Sequence, residues 1–223
     1  MLTKIFGQTF IPPVLPKTGK TISDFVPKGY AIIDSTSGDL NNDGLPDIAF
    51  VIQSKDTFDE LRPDSTKLHS NPRILIVLLK QSTTYQLALQ HNTFMLRFGE
   101  GGWKPDPFGK IEIENGLLEI SYQFFKIHSD YKFQFQQNAF YLILASEGGS
   151  SANQYEGWEF DFITRKASYS SVQIEMEEDS SSAKTGNSSS PVIDSTEIKT
   201  GSLKKLIDMQ MPGMWEVIPG LFI

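Results

Sequence analysis

Between Gly38 and Asp47 the chain reads Gly-Asp-Leu-Asn-Asn-Asp-Gly-Leu-Pro-Asp, with side-chain oxygens at Asp39, Asn41 and Asp43 and again at Asp47. A hard divalent cation needs six to eight oxygen ligands at roughly 2.3–2.6 Å, and a short chain supplies them only by wrapping around the ion. Donors at loop positions 1, 3 and 5 start that wrap, and Gly44 at position 6 takes the sharp turn. The Leu45 carbonyl at position 7 and the Asp47 carboxylate at position 9 complete the expected set. Calcium is therefore the expected ligand of Asp39, Asn41, Asp43, Leu45 and Asp47. The competing reading is an Asx-rich loop whose side chains cap their own backbone.

The elements around this loop are strands. Position 12, where an EF-hand carries a bidentate Glu, is Phe50 inside Ile48-Ala-Phe-Val-Ile52. That run is β-branched and aromatic, and so is Tyr30–Asp34 upstream. A strand–loop–strand unit built on Asp-x-Asn-x-Asp-Gly-x-x-Asp resembles the FG-GAP-type repeat, which in the integrin α subunit forms calcium loops of a β-propeller. The resemblance is confined to one copy and implies a structural calcium site. A second likeness covers residues 25–165 through Phe25–Tyr30, the Gly-Asp-Leu-Asn loop, Asn71–Leu75 and Tyr131–Phe135. These look like a group of uncharacterised exported bacterial proteins, and the likeness brings no activity with it.

Patterning along the rest of the chain is also β. Arg73–Lys80 is an apolar run bounded by charge, expected as a central strand buried on both faces. Thr84–Gln90 alternates and should return antiparallel. Ile111 and Ile113 alternate with charged residues before Asn115-Gly116, a strong hairpin signal. Tyr131/Phe133/Phe135 and Trp158/Phe160/Phe162 repeat the two-residue period. The expected fold class is all-β, an antiparallel meander of roughly ten strands, with a propeller-like arrangement left open.

Residues 1–24 read as an extended N-terminal arm, 25–176 as the β domain, 177–200 as a Ser-rich disordered linker and 201–223 as a C-terminal docking segment. Residues 53–72 form a long polar connection of a kind that is often functional; 98–109, with an isolated Trp103, reads as a loop folded back over the sheet edge with Trp103 as its plug, or alternatively as a binding surface.

The formal net charge of −7 argues against nucleic acid as a partner. No apolar run is long enough to span a membrane. The absence of cysteine excludes disulfides and thiol chemistry. There is no Gly-x-Ser-x-Gly and no phosphate loop, so the chain is expected not to be an enzyme. His69, His91 and His128 are scattered and read as solvated surface residues. Glu112 and Glu114 mimic a catalytic pair but fit the wet face of a strand. The Trp158/Phe160/Phe162 stripe reads as core, with a carbohydrate-stacking platform as the alternative.

A loop lacking the twelfth-position Glu should bind calcium weakly, as extracellular modules do. An export signal removed ahead of residue 1 and a periplasmic or extracellular location follow as expectations. The function expected is that of an exported bacterial calcium-binding module with a protein partner, in its sharpest form a periplasmic immunity or inhibitor protein. A calcium-assisted hydrolase using Glu112 or the carboxylates of 98–109, and a carbohydrate-binding module, are the alternatives.

Overall fold

The computed structural model describes residues 10–102, 105–151, 153–173, 192–199 and 201–223. Among them there is no α-helix. Two antiparallel sheets make up the body.

The first sheet has the order β1-β7-β6-β3-β2: β1 (Thr18–Gly19), β2 (Tyr30–Gly38), β3 (Asp47–Ser54), β6 (Arg73–Gln81) and β7 (Thr84–His91). Between β3 and β6 the chain leaves the sheet as a hairpin of β4 (Phe58–Leu61) and β5 (Lys67–Ser70). Both central strands lack a polar face, and Phe50, Val51, Ile52, Leu75, Ile76 and Val77 are 0 % exposed. Side chains alternate across a strand, so each face needs its own cover. Phe50, Ile52, Ile74 and Ile76 pack under the N-terminal arm, through Leu15 and Phe25. Ala49, Val51, Leu75 and Val77 point the other way, into the main core.

The second sheet provides that core's other wall. It runs in strict sequence order: β8 (Phe108–Glu114), β9 (Leu117–Gln123), β10 (Ile127–Gln136), β11 (Ala139–Ser151), β12 (Gln154–Asp161), β13 (Lys166–Gln173) and β14 (Val192–Glu197). Asn115 and Gly116, at φ 52° and 76°, make the expected tight hairpin between β8 and β9. Phe94 is the hub of the interior, edge-on to Tyr122, Tyr131 and Phe133 at centroid distances of 6.3, 5.4 and 5.9 Å.

The sheets meet edge to edge as well as face to face. Ile111 N–H donates to Asp34 Oδ2 at 2.9 Å and Ile113 N–H to Thr36 Oγ1 at 3.1 Å. Strands β2 and β8 thus run side by side, stitched by side chains where backbone ladder bonds would otherwise stand.

The all-β antiparallel expectation holds, and the meander is continuous from β8 to β14. The propeller-like option does not: the strands form two open sheets, with no radial blades. Several expected boundaries move. Residues 10–24 are not merely an arm, since Thr18 and Gly19 pair with β7 and Leu15 is buried. Residues 192–197, expected within a disordered linker, form edge strand β14 paired to β13. Ile198, next in that linker, is buried, while 177–191 and 200 lie outside the described residues, as does Trp103.

The C-terminal segment lies against the sandwich. Leu206, Met209, Val217 and Ile223 are buried, and Trp215 stacks on Phe162 at 5.3 Å. The 3-10 turn Leu206–Asp208 is pinned by His91. His91 Nε2 faces the carbonyls of Leu206 and Met209 at 3.0 and 2.8 Å, so this nitrogen carries the proton. Nδ1 accepts the Phe94 N–H at 3.1 Å. His91 is therefore a buried, neutral tie and not a solvated histidine.

Burial pulls the His91 pKa below its usual 6.5, against the two carbonyls that favour the cation. A depressed value means the folded state resists a proton that the unfolded chain takes up. Stability contributed by His91 is full above the ordinary histidine range and is lost as the pH falls towards the folded value. Melting curves between about pH 7.5 and 5 should fall more steeply for the wild type than for His91→Gln. Parallel pH profiles would mean that His91 does not titrate against the C-terminal turn.

Candidate functional site

The antiparallel weave gives the molecule two distinct ends. At one lie the Asp39–Asp47 loop and the Asn115–Gly116 turn. At the other lie the β4–β5 hairpin, the connection after β7 and the turn between β9 and β10.

The loop at the first end turns where the sequence requires, with Asn42 and Gly44 at φ 59° and 82°. Its side chains gather on its own backbone. Asp39 Oδ1 and Oδ2 accept the N–H groups of Asp43 and Gly44 at 3.2 and 2.8 Å. Asn41 Oδ1 accepts the same Asp43 N–H at 3.1 Å, and its amide donates to Asp43 Oδ2 at 3.0 Å. Asp43 Oδ1 takes the Leu45 N–H at 2.8 Å.

Asp47 behaves differently. It is 0 % exposed, and its two oxygens accept the Leu40 and Lys80 N–H groups at 2.9 and 2.8 Å. That ties the loop to the end of β6. Burial pushes the Asp47 carboxyl above its usual range despite those two donors, and the Asp43 and Asp39 charges add to the rise.

Asp39, Asn41 and Asp43 are thus brought together, with Leu45 held beside them and Asp47 drawn beneath the loop. Among the described residues no three His, Asp or Glu side chains already stand as a metal cage. A cation here would need the Asn41 amide oxygen and the Leu45 carbonyl as well. The donor set fits one: a carboxylate has about four lone-pair sites, and each oxygen that accepts an N–H keeps another. Buried Asp47 has no Lys or Arg within ion-pair distance among the described residues, which leaves its charge for a metal to offset. Bound calcium would supply charge neutralisation and a fixed loop conformation. Gly116 lies beside the loop, where a Cβ would be in ordinary contact at 3.7 Å with Asn42 Oδ1 and the Asp39 carbonyl. The loop therefore sits on the seam between β2 and β8.

At the opposite end, charge is buried where sequence reading expected only polar loops. Arg62, after β4, donates from Nε to Glu100 Oε1 at 2.5 Å and from Nη2 to the Thr93 carbonyl at 3.0 Å. Arg97 pairs with Glu60, and Glu100 Oε2 also accepts the Arg97 N–H at 2.7 Å. Both guanidinium side chains are essentially sealed from water, at 0 and 1 % exposure. Arg73 Nη1 and Nη2 grip Asp106 Oδ1 and Oδ2 at 2.7 and 2.6 Å. The segments 55–72 and 92–102, with Asp106, are therefore stapled to each other and to β6. The segment Phe94-Met95-Leu96 drives the second connection into the core.

These pairs also place the carboxylates proposed for a hydrolase. Glu100 and Asp106 sit in ion pairs, and Glu112 pairs with Lys110 at 2.6 Å. Glu112 faces Glu119 across the β8–β9 ladder, and Glu119 in turn holds Lys132 at 2.9 Å. His69 is exposed and paired with Asp59. The buried arginines were missed because nothing local distinguishes Arg62 or Arg97 from surface cations. A signal was present only in Phe94–Leu96, an apolar triplet within a polar stretch.

Comparison of the chain with protein-family models, with curated proteins and with solved structures found no match.

Removing one partner of a buried pair leaves an uncompensated charge, at a cost of about 3–5 kcal/mol. Glu100→Ala should therefore destabilise the protein by about that amount in urea titration. Glu112→Ala, in an exposed pair, should change it by less than about 1 kcal/mol. Equal small effects from both would mean that the Arg62 network does not hold the loop end together.

Proposed function

We propose that the chain is an exported, calcium-stabilised β-sandwich module whose loop end binds a protein partner without a catalytic step of its own. The observation that supports it is the pairing of a rigid frame with exposed apolar side chains at that end. Leu61 and Phe98 are 65 and 62 % exposed, yet each adjoins a residue of the buried ion network. Apolar groups left in water on a pre-organised backbone favour docking, because little ordering is required on binding. The carboxylates that hydrolysis would need are engaged in ion pairs, which favours binding over catalysis.

In this reading calcium acts far from the partner. It steadies the ends of β2 and β3 and the seam with β8, and its weak site fills outside the cytosol, where calcium is abundant. The sharpest form is a periplasmic immunity or inhibitor protein whose loop end closes the active site of a secreted enzyme.

Two measurements test the proposal. Ligand binding to the native state alone adds RT ln(1 + [L]/Kd), about 1.4 kcal/mol for a Kd of about 0.1 mM and about 1 mM calcium. Calcium should raise the melting temperature by roughly 3–6 °C over chelator, and Asp43→Ala should abolish the difference. Coincident curves for the wild type would remove calcium from the proposal. Tagged protein should also retain one stoichiometric partner from the native organism's exported proteins. Leu61→Asp with Phe98→Asp should lose it without a change in melting. A partner indifferent to those two positions, or none, would overturn the binding role.

A further inference from the structure

Strands β11 and β12 extend beyond the buried core, and their inward face changes character there. On β12 the inward residues run Phe160, Trp158, Glu156; on β11 they run Ala145, Glu147, Gly149. Phe160 and Ala145 are 1 % exposed, at the edge of the core. One row further out, Glu147 lies opposite Trp158, and Trp158 opposite Tyr169 on β13. In the next row Gly149 lies opposite Glu156.

The result is a groove of about 380 Å³ between Lys126, Glu147, Gly149, Glu156, Trp158 and Tyr169. Trp158 is fixed from two sides, stacked on Phe160 at 6.1 Å and tilted against Tyr169 at 5.2 Å. The floor is bare for a packing reason. A Cβ on Gly149 would meet the Lys126 carbonyl at 2.7 Å.

The electrostatics lean acidic, with Lys126 on the rim and His128 near enough to Glu147 to oppose its carboxyl's rise. Neither Glu147 nor Glu156 has a cationic partner among the described residues. Among the described residues Glu147 accepts one long bond, of 3.5 Å, from Ser129 Oγ. Lys126, on the rim, directs its Nζ to the Phe125 ring at 5.9 Å. Two carboxylates beside a fixed indole and phenol make a site for an organic cation, because the π face and both charges attract it together. Partial burial raises the Glu147 carboxyl, and an arriving cation would relieve that cost.

We propose that this groove receives an arginine or lysine side chain of a protein partner. The occupant rests on the partner-binding reading above, and the groove opens at the same end as Leu61 and Phe98. A neutral saccharide could stack on Trp158 alone but leaves both carboxylates without an opposite charge, so the cation fits better.

The test uses the full chain and a blocked Gly-Gly-Arg-Gly-Gly peptide, followed by the indole N–H resonance of Trp158, assigned through Trp158→Phe. The peptide should shift that resonance saturably. The citrulline counterpart, isosteric but uncharged, should not. Glu147→Gln with Glu156→Gln should weaken arginine binding by about tenfold or more, with unchanged melting. No saturable shift, equal binding of the citrulline peptide, or a shift given by cellotetraose and not by arginine would each overturn the proposal. The two readings fail separately. A captured partner indifferent to the double Glu variant removes the groove and leaves the module. Arginine binding with no partner captured removes the module and leaves the groove.

Discussion

Strands β3 and β6 have no face that tolerates water, and the rest of the architecture answers that constraint. A two-sheet sandwich covers one face of each sheet and normally leaves the other to solvent. Here the first sheet is a middle layer, with Phe50, Ile52, Ile74 and Ile76 directed away from the second sheet. Those four side chains require the N-terminal residues to fold back over them, which makes Leu15 and Phe25 part of the core. Burying a side chain of that size contributes about 1.5–3 kcal/mol, so the arm is held by its contacts although its ladder among the described residues is the two-residue β1.

Burial on both faces also explains the charges at the loop end. The connections leaving β3 and β7 must cross the rim of a dry interior, and polar backbone there has few chances to meet water. Arg62 and Arg73 resolve this by donating to the Thr93 and Leu96 carbonyls while their charges meet Glu100 and Asp106. A guanidinium suits the task because its five donors serve a carbonyl and a carboxylate at once. The balance is not complete: Arg62 Nη1 and Arg97 Nε are buried without a hydrogen-bond partner. The network thus gives a defined shape to the loop end more than it adds stability.

How much of this was legible depends on the range of the interaction. The alternation from Ile111 to Phe162 gives the inward residues of most strands, but a register shift in β11 moves the inward set from Phe140 and Leu142 to Ala145; Asn115-Gly116 sets the turn between β8 and β9. The fully apolar Ile74–Leu79 correctly marked a strand covered on both sides. The Asp39–Asp47 spacing located a turn with positive φ at Gly44, as its chemistry demands. What escaped was set by partners distant in sequence. His91 looks like any polar strand end until Leu206 and Met209 arrive more than a hundred residues later, at separations of 115 and 118. Asp47 reads as a metal ligand from its spacing, while its hydrogen bond to Lys80 depends on the β3–β6 pairing. Residues 192–197 carry Ser, Thr and Asp in a weakly apolar context, and only the open edge of β13 makes them a strand.

The groove beside Trp158 shows how one periodic pattern can produce both core and site. Alternation along a strand specifies a face but not how far that face is covered. From Phe162, just past β12, the inward positions continue aromatic through Phe160 and Trp158 on the strand, then become Glu156. On β11 they pass from Ala145 to Glu147. Both strands switch from apolar to acidic in neighbouring rows of the same face, where the buried core ends. A surface strand with ordinary wet residues would place such charges on the outward parity, among Ser146, Glu159 and Asp161. Acidic residues on the inward parity are therefore informative: they sit beside Trp158 and Tyr169 because the core ends there, and the polarity of that edge selects what can approach it.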